Sequence, residues 1–549
     1  MNYEDLANLI FPDAKDIEYY EEKYKRRELP EGAIVTRYAP SPTGYAHIGG
    51  LYQSLIAKKV AMQTGGVFFL RIEDTDQKRE VEQGVERIVS SLQDFDVAPD
   101  EGQINDTDEI GNYGPYKQSM RKEIYQAYAK YMLKQGKAYL CFCTPEDLEQ
   151  IRAKQEAAKV RTGYYGVWAH CRKYSVEEMI EKVKNGEKFI IRFKSPGRED
   201  RKIKHKDVIK GNVDFPENDQ DIIIIKSDGL PTYHFAHAVD DHLMGTTHVI
   251  RGDEWLSSVP LHLQLFQEMG FKAPKYAHIA PIMKNDNGNK RKLSKRKDPE
   301  AAVEYYKEEG IPATAVKEYL LNIASSGFEN WRRQNPTVPM EEYNLELNKM
   351  SVSGALFDMV KLLDVSKIVI SKMSAEEVYE NALNWAKRYD SELVEMLEDK
   401  EYALKVLGIE RGNQKPRKDI AKWSDVKENI VYMYENKYKN IEYPYQTINE
   451  KEDIKKILNL YMEKYYNEND DKQTWFDKIK ELAEELGFAK EVKEFKANPG
   501  TYKAHVGDVS TVLRIALTGR TNTPDMFEIM NVLEKDTIER RFKMAIENL

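Results

Sequence analysis

Apolar and polar positions follow two rhythms in the first part of the chain. Residues 34–38 (IVTRY) and 67–74 (VFFLRIED) are short apolar runs, as expected of strands buried in a parallel sheet. Helical spacing of apolar residues covers 51–63, 79–94 and 118–135. Because strands and helices alternate in this order, the pattern predicts an α/β domain with a doubly wound sheet.

Residues 141–220 interrupt that alternation. They hold all three cysteines, a lysine-rich helical stretch and a short strand pattern at 189–194. The sheet pattern resumes at 221–255 and continues in the apolar run 278–283. We therefore interpret residues 141–220 as an insertion between the two halves of one nucleotide-binding fold.

Strand patterns fade after about residue 300. Helical spacing then predicts helices at 313–326, 353–363, 375–398, 417–438, 451–465, 472–488 and 524–547. The C-terminal part is therefore expected to be mostly α-helical, with a domain boundary near residues 368–376.

Composition limits the class of protein. The 549 residues are enough for several domains, and no apolar run reaches the roughly 18 residues that a membrane span needs. Three cysteines in so long a chain fit a reducing cytoplasm better than a disulfide scaffold. A net charge of −9 disfavours general attraction to nucleic acid, so any RNA binding depends on local basic patches. We expect a cytoplasmic protein that binds neither membrane nor DNA.

The stretch RYAPSPTGYAHIGG, residues 37–50, carries the strongest chemical signal. It leads from a strand through a glycine-bearing turn into a helix, where free backbone N–H groups and the helix dipole favour an anion. His47 adds a hydrogen-bond donor, and Gly49 and Gly50 allow a ligand to approach the backbone closely. Alone, HIGG is equally typical of an ordinary capping turn with a surface histidine.

A second basic stretch, KRKLSKRK at residues 290–297, follows a predicted strand. Such a string is commonly a nuclear-targeting or solvated basic tract. Its position, some 245 residues after the first motif, and its interruption by Leu293 and Ser294 resemble the second signature motif of class I aminoacyl-tRNA synthetases, and this resemblance implies a phosphate-binding loop instead. We expect Lys295, supported by Lys292, to bind phosphates as a flexible point charge.

The two motifs together resemble the HIGH and KMSKS signatures of class I aminoacyl-tRNA synthetases, and the wording RYAPSPTG is similar to the glutamyl branch. The resemblance implies a Rossmann-like catalytic domain with an insertion, followed by a mostly α-helical anticodon-binding region of bacterial type. It divides the chain into an N-terminal helical arm at 1–32, catalytic halves at 33–140 and 221–298, an acceptor-binding insertion at 141–220, a stem-contact helical domain at 299–370 and an anticodon-binding region at 371–549.

The resemblance also implies the reaction. Glutamate and ATP, with Mg²⁺, would give glutamyl-adenylate, and the glutamyl group would then pass to the 3′ end of tRNA(Glu). His47, Lys292 and Lys295 would be catalytic, and ATP would contact His47, Gly49, Gly50 and Lys295. Because charge develops on phosphate oxygens, positioned cations and donors supply this catalysis without an enzyme nucleophile.

An amino acid with two carboxylates needs cations at fixed positions. Arg37 and Arg251 fall at the predicted carboxyl ends of strands, where a guanidinium can bind a carboxylate through two hydrogen bonds. Glu73 would hold the substrate ammonium group. The resemblance adds Ala39, Ser41, Tyr233 and His237 as pocket residues; many relatives carry a small polar residue where this chain has His237. Taken singly, Arg37 or Arg251 is more typical of a surface ion pair and Tyr233 of the core, whereas the whole set in family order favours a pocket.

Cys141, Cys143 and Cys171 fall where some glutamyl enzymes bind structural zinc. The fourth ligand of those enzymes corresponds to Lys173, which cannot bind the metal, and His170 or Tyr165 would have to replace it. Zinc and free thiols both remain open.

Three alternatives remain beside a monomeric glutamyl enzyme. A glutaminyl enzyme is disfavoured by Arg251, because a buried arginine without its anion is costly. A tRNA-modifying glutamyl transferase would lack the long helical C-terminal part. An inactive RNA-binding paralogue would not need His47, Lys295 and Glu73 together. Whether tRNA(Gln) is also charged stays open.

Overall fold

The computed structural model describes residues 2–42, 46–76, 81–498 and 500–549. The chain forms two compact units, the first made of residues 1–305 and 317–358 and the second of residues 306–316 and 359–549. In the described ranges, no helix is both long enough and apolar enough to cross a membrane.

The first unit holds the strands. They are β1 (Val35–Tyr38), β2 (Val67–Leu70), β3 (Glu101–Gln103), β4 (Glu109–Ile110), β5 (Ala138–Cys141), β6 (Ile190–Phe193), β7 (Lys202–Asp207), β8 (Gly211–Pro216), β9 (Ile223–Ile225), β10 (His248–Gly252), β11 (Lys275–Ile279), β12 (Met283–Asp286) and β13 (Asn289–Lys292).

The chain up to residue 334 also forms helices. They are α1 (Tyr3–Ile10), α2 (Ile17–Lys23), α3 (Ile48–Met62), α4 (Gly84–Asp94), α5 (Lys122–Lys134), α6 (Pro145–Ala157), α7 (Val176–Lys184), α8 (Tyr233–Leu243), α9 (Val259–Glu268), α10 (Val303–Glu309), α11 (Ala313–Ala324) and α12 (Ser326–Gln334). Part of α10 and the start of α11 are assigned to the second unit.

A parallel sheet is the centre of the first unit. β1 pairs in parallel with β2, and β2 with β3, while β4 adds an antiparallel edge. β10 and β11 form a second parallel pair, and the Thr247 N–H donates to the Val35 carbonyl at 3.0 Å, so β10 lies beside β1. The resulting order, with β1 and β10 in the middle, confirms the predicted doubly wound fold. Ligands bind at the carboxyl ends of strands in such a sheet.

Residues 138–225 form antiparallel structure instead. β5, β6 and β9 make one sheet, and β7 and β8 form a two-stranded ribbon. The sequence pattern predicted that the parallel sheet resumes at residue 221. In the structure it resumes only at β10. The isoleucine run that contains β9 is buried in either kind of sheet, so its composition does not reveal its partner.

The N-terminal arm is part of the first unit. The Arg27 guanidinium makes two hydrogen bonds of 2.8 Å to Glu101 and stacks 3.8 Å from the centre of the Tyr113 ring. Tyr20 and Tyr24 are buried in the same core as the apolar face of α5. Residues before β1 therefore contribute to the packing of the α/β unit.

The second unit is helical, as predicted. Its remaining helices are α13 (Met359–Ser371), α14 (Ala375–Tyr389), α15 (Ser391–Met396), α16 (Lys400–Gly408), α17 (Val426–Ile430), α18 (Lys451–Leu460), α19 (Lys472–Glu485), α20 (Val492–Ala497), α21 (Val506–Thr518) and α22 (Met526–Glu547). The long helix expected at 417–438 is wrong, since only α17 and short 3₁₀ turns occur there. One apolar core joins all of these helices except α20.

Candidate active site

A cleft of about 570 Å³ opens at the carboxyl ends of β1, β2, β10 and β11. It lies where a doubly wound sheet normally binds its ligand. The cleft brings together ten of the residues predicted from the sequence, namely Arg37, Ala39, Ser41, His47, Gly49, Gly50, Glu73, Tyr233, Arg251 and Lys292.

His47 caps the N-terminus of α3. Its Nδ1 accepts the Gly49 N–H at 2.8 Å, so in the neutral ring the proton is on Nε2. Burial lowers the pKa of His47, and the nearby charges of Lys295 and Lys292 lower this pKa further. The residue is therefore a neutral N–H donor at a helix end that favours anions.

The glycine at position 50 has a local reason. A Cβ there would lie 2.3 Å from the Tyr38 hydroxyl and 3.2 Å from the ring carbon that bears it. Any side chain at this position would displace Tyr38, which also lines the cleft. This contact with Tyr38 on β1 explains why the chain has glycine at position 50, where the HIGH signature ends in a second histidine.

The basic loop, residues 290–297, begins within β13 and is anchored rather than uniformly solvated. Leu293 is buried, and its N–H donates to the Ile282 carbonyl at 3.0 Å. Arg291 forms hydrogen bonds of 2.6 and 2.8 Å with Asp298. These contacts hold both ends of the stretch that carries Lys292 and Lys295.

The two lysines of this loop differ in position. Lys292 lines the cleft, with its Nζ 3.5 Å from Glu254. Lys295 does not line the cleft, yet its charge acts on His47. Burial lowers the pKa of Lys295, which Glu304 opposes. Lys295 is thus near the imidazole but at the margin of the cavity.

Arg37 reaches the cleft from a buried network of charges. Its Nε lies 3.3 Å from Asp241, which also accepts a 2.8 Å hydrogen bond from Arg71. Burial alone would raise the pKa of Asp241, but Arg37 and Arg71 bring it well below its usual value. Asp241 therefore stays ionised and neutralises part of the charge beneath the cleft.

Glu73 belongs to the same network. It lies 3.2 Å from Arg71 and lines the cleft. Burial raises the pKa of Glu73 to about 7, against the lowering influence of Arg71 and Arg37. A carboxyl group with a pKa near neutrality thus faces the cleft, as expected of a group that binds the cationic part of a substrate.

Arg251, at the end of β10, has different surroundings. It is 3% exposed, and its hydrogen-bond partners are the neutral rings of His278 and His262, the Tyr233 hydroxyl and the Trp255 carbonyl. Among the described residues it forms no ion pair. A buried cation without an anion faces the cleft.

An aromatic wall lies beside Arg251. The rings of Tyr233 and Trp255 are 4.5 Å apart, and both line the cleft. Burial raises the pKa of Tyr233, and the charge of Glu73 raises it further, whereas Arg251 and Arg37 lower it. The hydroxyl of Tyr233 is therefore close to all three charged groups predicted to bind an amino acid.

His237 does not line the cleft. It is fully buried behind Tyr233, with Nδ1 2.7 Å from Asp241 and Nε2 3.0 Å from the Tyr276 hydroxyl. These contacts leave neither ring nitrogen facing the ligand space. The residue supports the wall of the cleft and the Asp241 network.

The three cysteines meet away from the cleft. Their sulfur atoms lie within 4.8 Å of one another, and Cys143 Sγ is 3.6 Å from Cys171 Sγ. The Tyr164 hydroxyl is 3.5 Å from Cys141 Sγ and 3.3 Å from Cys143 Sγ. Neither His170 nor Tyr165, considered from the sequence, joins the group; the Tyr165 hydroxyl donates to the Arg161 carbonyl instead.

Sequence reasoning missed the residues under the cleft. Asp240 accepts hydrogen bonds from Arg121, Gln118 and Tyr125, while its neighbour Asp241 accepts one from Arg71. The two adjacent carboxylates Asp240 and Asp241 on helix α8 were the available signal. Helix α8 buries both of them, which the sequence alone gives no reason to expect.

Comparison with known proteins agrees with this geometry. Residues 33–363 match the family of class I tRNA synthetases for glutamate and glutamine, catalytic domain, and residues 377–546 match an anticodon-binding domain. Glutamate–tRNA ligase from Clostridium perfringens is 53% identical over 99% of both chains, and that from Acetivibrio thermocellus is 49% identical over the full length of both.

A solved structure gives the same result. A glutamate tRNA ligase from Elizabethkingia meningosepticum, in complex with its amino acid, superposes with a TM-score of 0.73 at 29% identity, covering 94% of this chain and 99% of that one. The fold, the family match and the full-length relatives agree. The chain therefore belongs to the class I aminoacyl-tRNA synthetase family for glutamate and glutamine.

Proposed function

We propose that the protein ligates L-glutamate to the 3′ end of tRNA(Glu), using ATP and a glutamyl-adenylate intermediate. One observation carries the choice of amino acid. The buried guanidinium of Arg251 faces the cleft with only neutral partners, so a side-chain carboxylate is the ligand that would neutralise its charge. A neutral amide in the same position would leave this charge uncompensated, which disfavours glutamine.

The first step joins glutamate to AMP. An oxygen of the α-carboxylate of glutamate attacks the α-phosphorus of ATP, which is supplied as its Mg²⁺ complex. The bond from the α-phosphorus to the β-phosphate breaks and releases pyrophosphate. The Nε2–H of His47 and the N-terminus of α3 would stabilise the phosphate oxygens. Lys292 and Lys295 would add positive charge as negative charge develops on the leaving group.

Four groups would orient the amino acid. Glu73 would bind the ammonium group, which also favours the ionised form of a carboxyl whose pKa is about 7. Arg37 and Arg251 would bind the carboxylates, and the Tyr233 hydroxyl lies near both. Holding the reacting groups in one cleft converts a bimolecular encounter into a local one.

The second step uses the rest of the chain. The terminal adenosine of tRNA attacks the carbonyl carbon of the adenylate, and AMP leaves. We assign anticodon contact to the region 371–549, which agrees with the match at 377–546. Residues 141–220 would approach the acceptor end and residues 299–370 the stem. Three cysteines without a disulfide fit action in the reducing cytoplasm.

A two-part assay tests this function. Purified protein with ATP and labelled pyrophosphate should exchange label into ATP only when glutamate and tRNA are both added. Aminoacylation of purified tRNA(Glu) should then exceed that of tRNA(Gln). Exchange that depends on glutamine rather than glutamate, or no exchange at all, would contradict the proposal.

We also propose that the cysteine cluster binds a structural zinc ion. In a tetrahedral site with Zn–S of about 2.3 Å and Zn–O of about 2.0 Å, sulfur atoms lie about 3.8 Å apart and sulfur and oxygen about 3.5 Å apart. The 3.6 Å between Cys143 Sγ and Cys171 Sγ, and the 3.3 and 3.5 Å from the Tyr164 hydroxyl to Cys143 Sγ and Cys141 Sγ, agree with such a set. Cys141, Cys143, Cys171 and Tyr164 would hold the metal and join β5 to the loop before α7.

Metal analysis tests this assignment. The purified protein should contain about one zinc per chain, and Cys141→Ser should lose it. Tyr164→Phe should weaken zinc retention against a chelator, whereas the adjacent Tyr165→Phe should not. Full zinc retention in Cys141→Ser would contradict a site at these residues.

A further inference from the structure

The orientation of Arg251 is fixed by a chain of hydrogen bonds that starts outside the cleft. The Arg251 Nε–H donates to His278 Nε2 at 3.0 Å. On its other side, His278 Nδ1 lies 2.6 Å from Asp207 Oδ2. The three residues come from β10, β11 and β7, so the inserted ribbon reaches the site that binds the substrate.

Hydrogen-bond chemistry fixes the direction of this chain. The guanidinium is only a donor, so the His278 Nε2 must accept and the ring proton must be on Nδ1. Asp207 Oδ2 accepts that proton, which selects one tautomer of the imidazole. Burial lowers the pKa of His278, which keeps the ring neutral beside the cation.

Asp207 is itself held in place. Its Oδ1 accepts the backbone N–H groups of Ile209 and Lys210 at 2.9 and 2.8 Å, leaving Oδ2 for the histidine. Burial raises the pKa of Asp207, but the His278 contact and these backbone donors bring it below its usual value. The carboxylate is ionised and rigid.

A second chain supports the same guanidinium. Arg251 Nη1 lies 3.2 Å from His262 Nδ1, and His262 Nε2 lies 2.9 Å from His234 Nδ1. By the same argument His262 accepts from the arginine and donates to His234. Two neutral imidazoles therefore orient the charge without cancelling it.

We propose that Asp207 and His278 are positioning residues that give the protein its selectivity for glutamate, by holding Arg251 at a fixed angle while leaving its charge for the substrate. A carboxylate in direct contact with Arg251 would orient it too, but would compete with the substrate carboxylate for the same charge. An imidazole between the carboxylate and the guanidinium avoids that competition. The inference rests on the proposed function.

The test uses full-length variants in the tRNA-dependent pyrophosphate exchange assay, with glutamate and glutamine varied separately. In Asp207→Asn, the amide oxygen can keep the backbone donors while its NH₂ faces His278, which reverses the tautomer and sets two N–H groups against each other at Arg251. We expect the KM for glutamate to rise about tenfold and the preference for glutamate over glutamine to fall about tenfold, with kcat changed less than about threefold.

Two substitutions of His278 separate its two contacts. The Gln side chain in His278→Gln can offer an oxygen at the position of Nε2, so this variant should stay within about threefold of wild type. The shorter amide of His278→Asn reaches only the position of Nδ1 and should behave like Asp207→Asn. The control His248→Gln, which lies on β10 with Arg251 but is hydrogen-bonded to Thr247, should change neither KM nor preference.

The outcomes distinguish the hypotheses. If Asp207→Asn and His278→Asn keep the wild-type KM and preference, or lower only kcat and the melting temperature, this inference is wrong while the proposed function stands. Wild-type protein without glutamate-dependent exchange would overturn the function and the inference together. Melting curves of all variants show whether an altered KM comes from a folded protein; if Asp207→Asn does not fold, the contrast between His278→Gln and His278→Asn decides.

Discussion

The two cleft arginines were predicted from the same reasoning, yet they lie in opposite electrostatic surroundings. Arg37, on β1, shares the carboxylate of Asp241 with the buried Arg71. Arg251, on β10, contacts only neutral groups. The charge on the β1 side of the cleft is nearly neutralised by the protein's own residues. The β10 side keeps a positive charge that only a bound anion would neutralise.

The difference separates structural from functional use of charge. Breaking a buried ion pair leaves an unpaired charge and costs stability, so the β1 side supports the fold. Keeping a buried cation unpaired costs stability in the free protein, and such costs are usually found at functional sites. The β10 side therefore gives up stability for recognition.

The largest expected effect is on the stability of the β1 side. Asp241→Asn should lower the free energy of unfolding by about 3–5 kcal/mol, because Arg37 and Arg71 would lose their shared carboxylate. Urea denaturation followed by circular dichroism measures it. The control Asp253→Asn removes a half-exposed partner of Lys210 and should cost less than about 1 kcal/mol. Equal losses in both variants would contradict the comparison.

The next effect concerns the phosphate end and leaves both arginines in place. Lys295→Ala should slow adenylate formation about a hundred- to a thousandfold, because one positioned cation is lost from the transition state. Glutamate affinity should hardly change. Single-turnover measurement of adenylate at varied glutamate concentration separates the rate of adenylate formation from the affinity for glutamate. Arg296→Ala, which removes the exposed adjacent cation, serves as control. Unchanged turnover in Lys295→Ala would remove this lysine from the mechanism.

A third prediction tests the β10 side directly. Arg251→Ala should reduce the preference for glutamate over glutamine about a hundredfold, since the cation that completes the substrate carboxylate is gone. Its unfolding free energy should fall by less than that of Asp241→Asn, because no buried partner loses an ion pair. Competition between the two amino acids in the exchange assay measures selectivity. Unchanged selectivity would show that Arg251 does not recognise the side-chain carboxylate of glutamate.

The smallest effect depends on pH. The pKa of Glu73 is about 7, so the carboxyl is mainly protonated at pH 6 and mainly ionised at pH 8. The ammonium group of glutamate binds only the ionised form, so the KM for glutamate should fall about tenfold as the pH rises over this range. Glu73→Gln should give a high KM without that dependence. Glu254→Gln, which removes an exposed carboxylate of the same cleft, should retain it.

Local patterns predicted the α/β half well for a physical reason. Buried parallel strands are continuous apolar runs and amphipathic covering helices have a 3.6-residue period, so β2 and α4 were distinct in the sequence. In the helical half, α21 was not predicted. Six of its thirteen residues are the β-branched Val, Thr or Ile, which have lower helix propensity.

The sequence by itself determined the kinds of chemical group and their order: an imidazole and glycines at a helix start, a basic loop, two arginines and an acid at strand ends. Those follow from short motifs whose geometry is local. Only the tertiary structure decided which arginine is neutralised. The partner of Arg37 lies on α8, and the partners of Arg251 lie on α8, α9, β11 and the turn after β10. Burial sets the strength of each charge. Electrostatic surroundings are a property of the packed molecule, because they sum over neighbours that sequence distance does not identify.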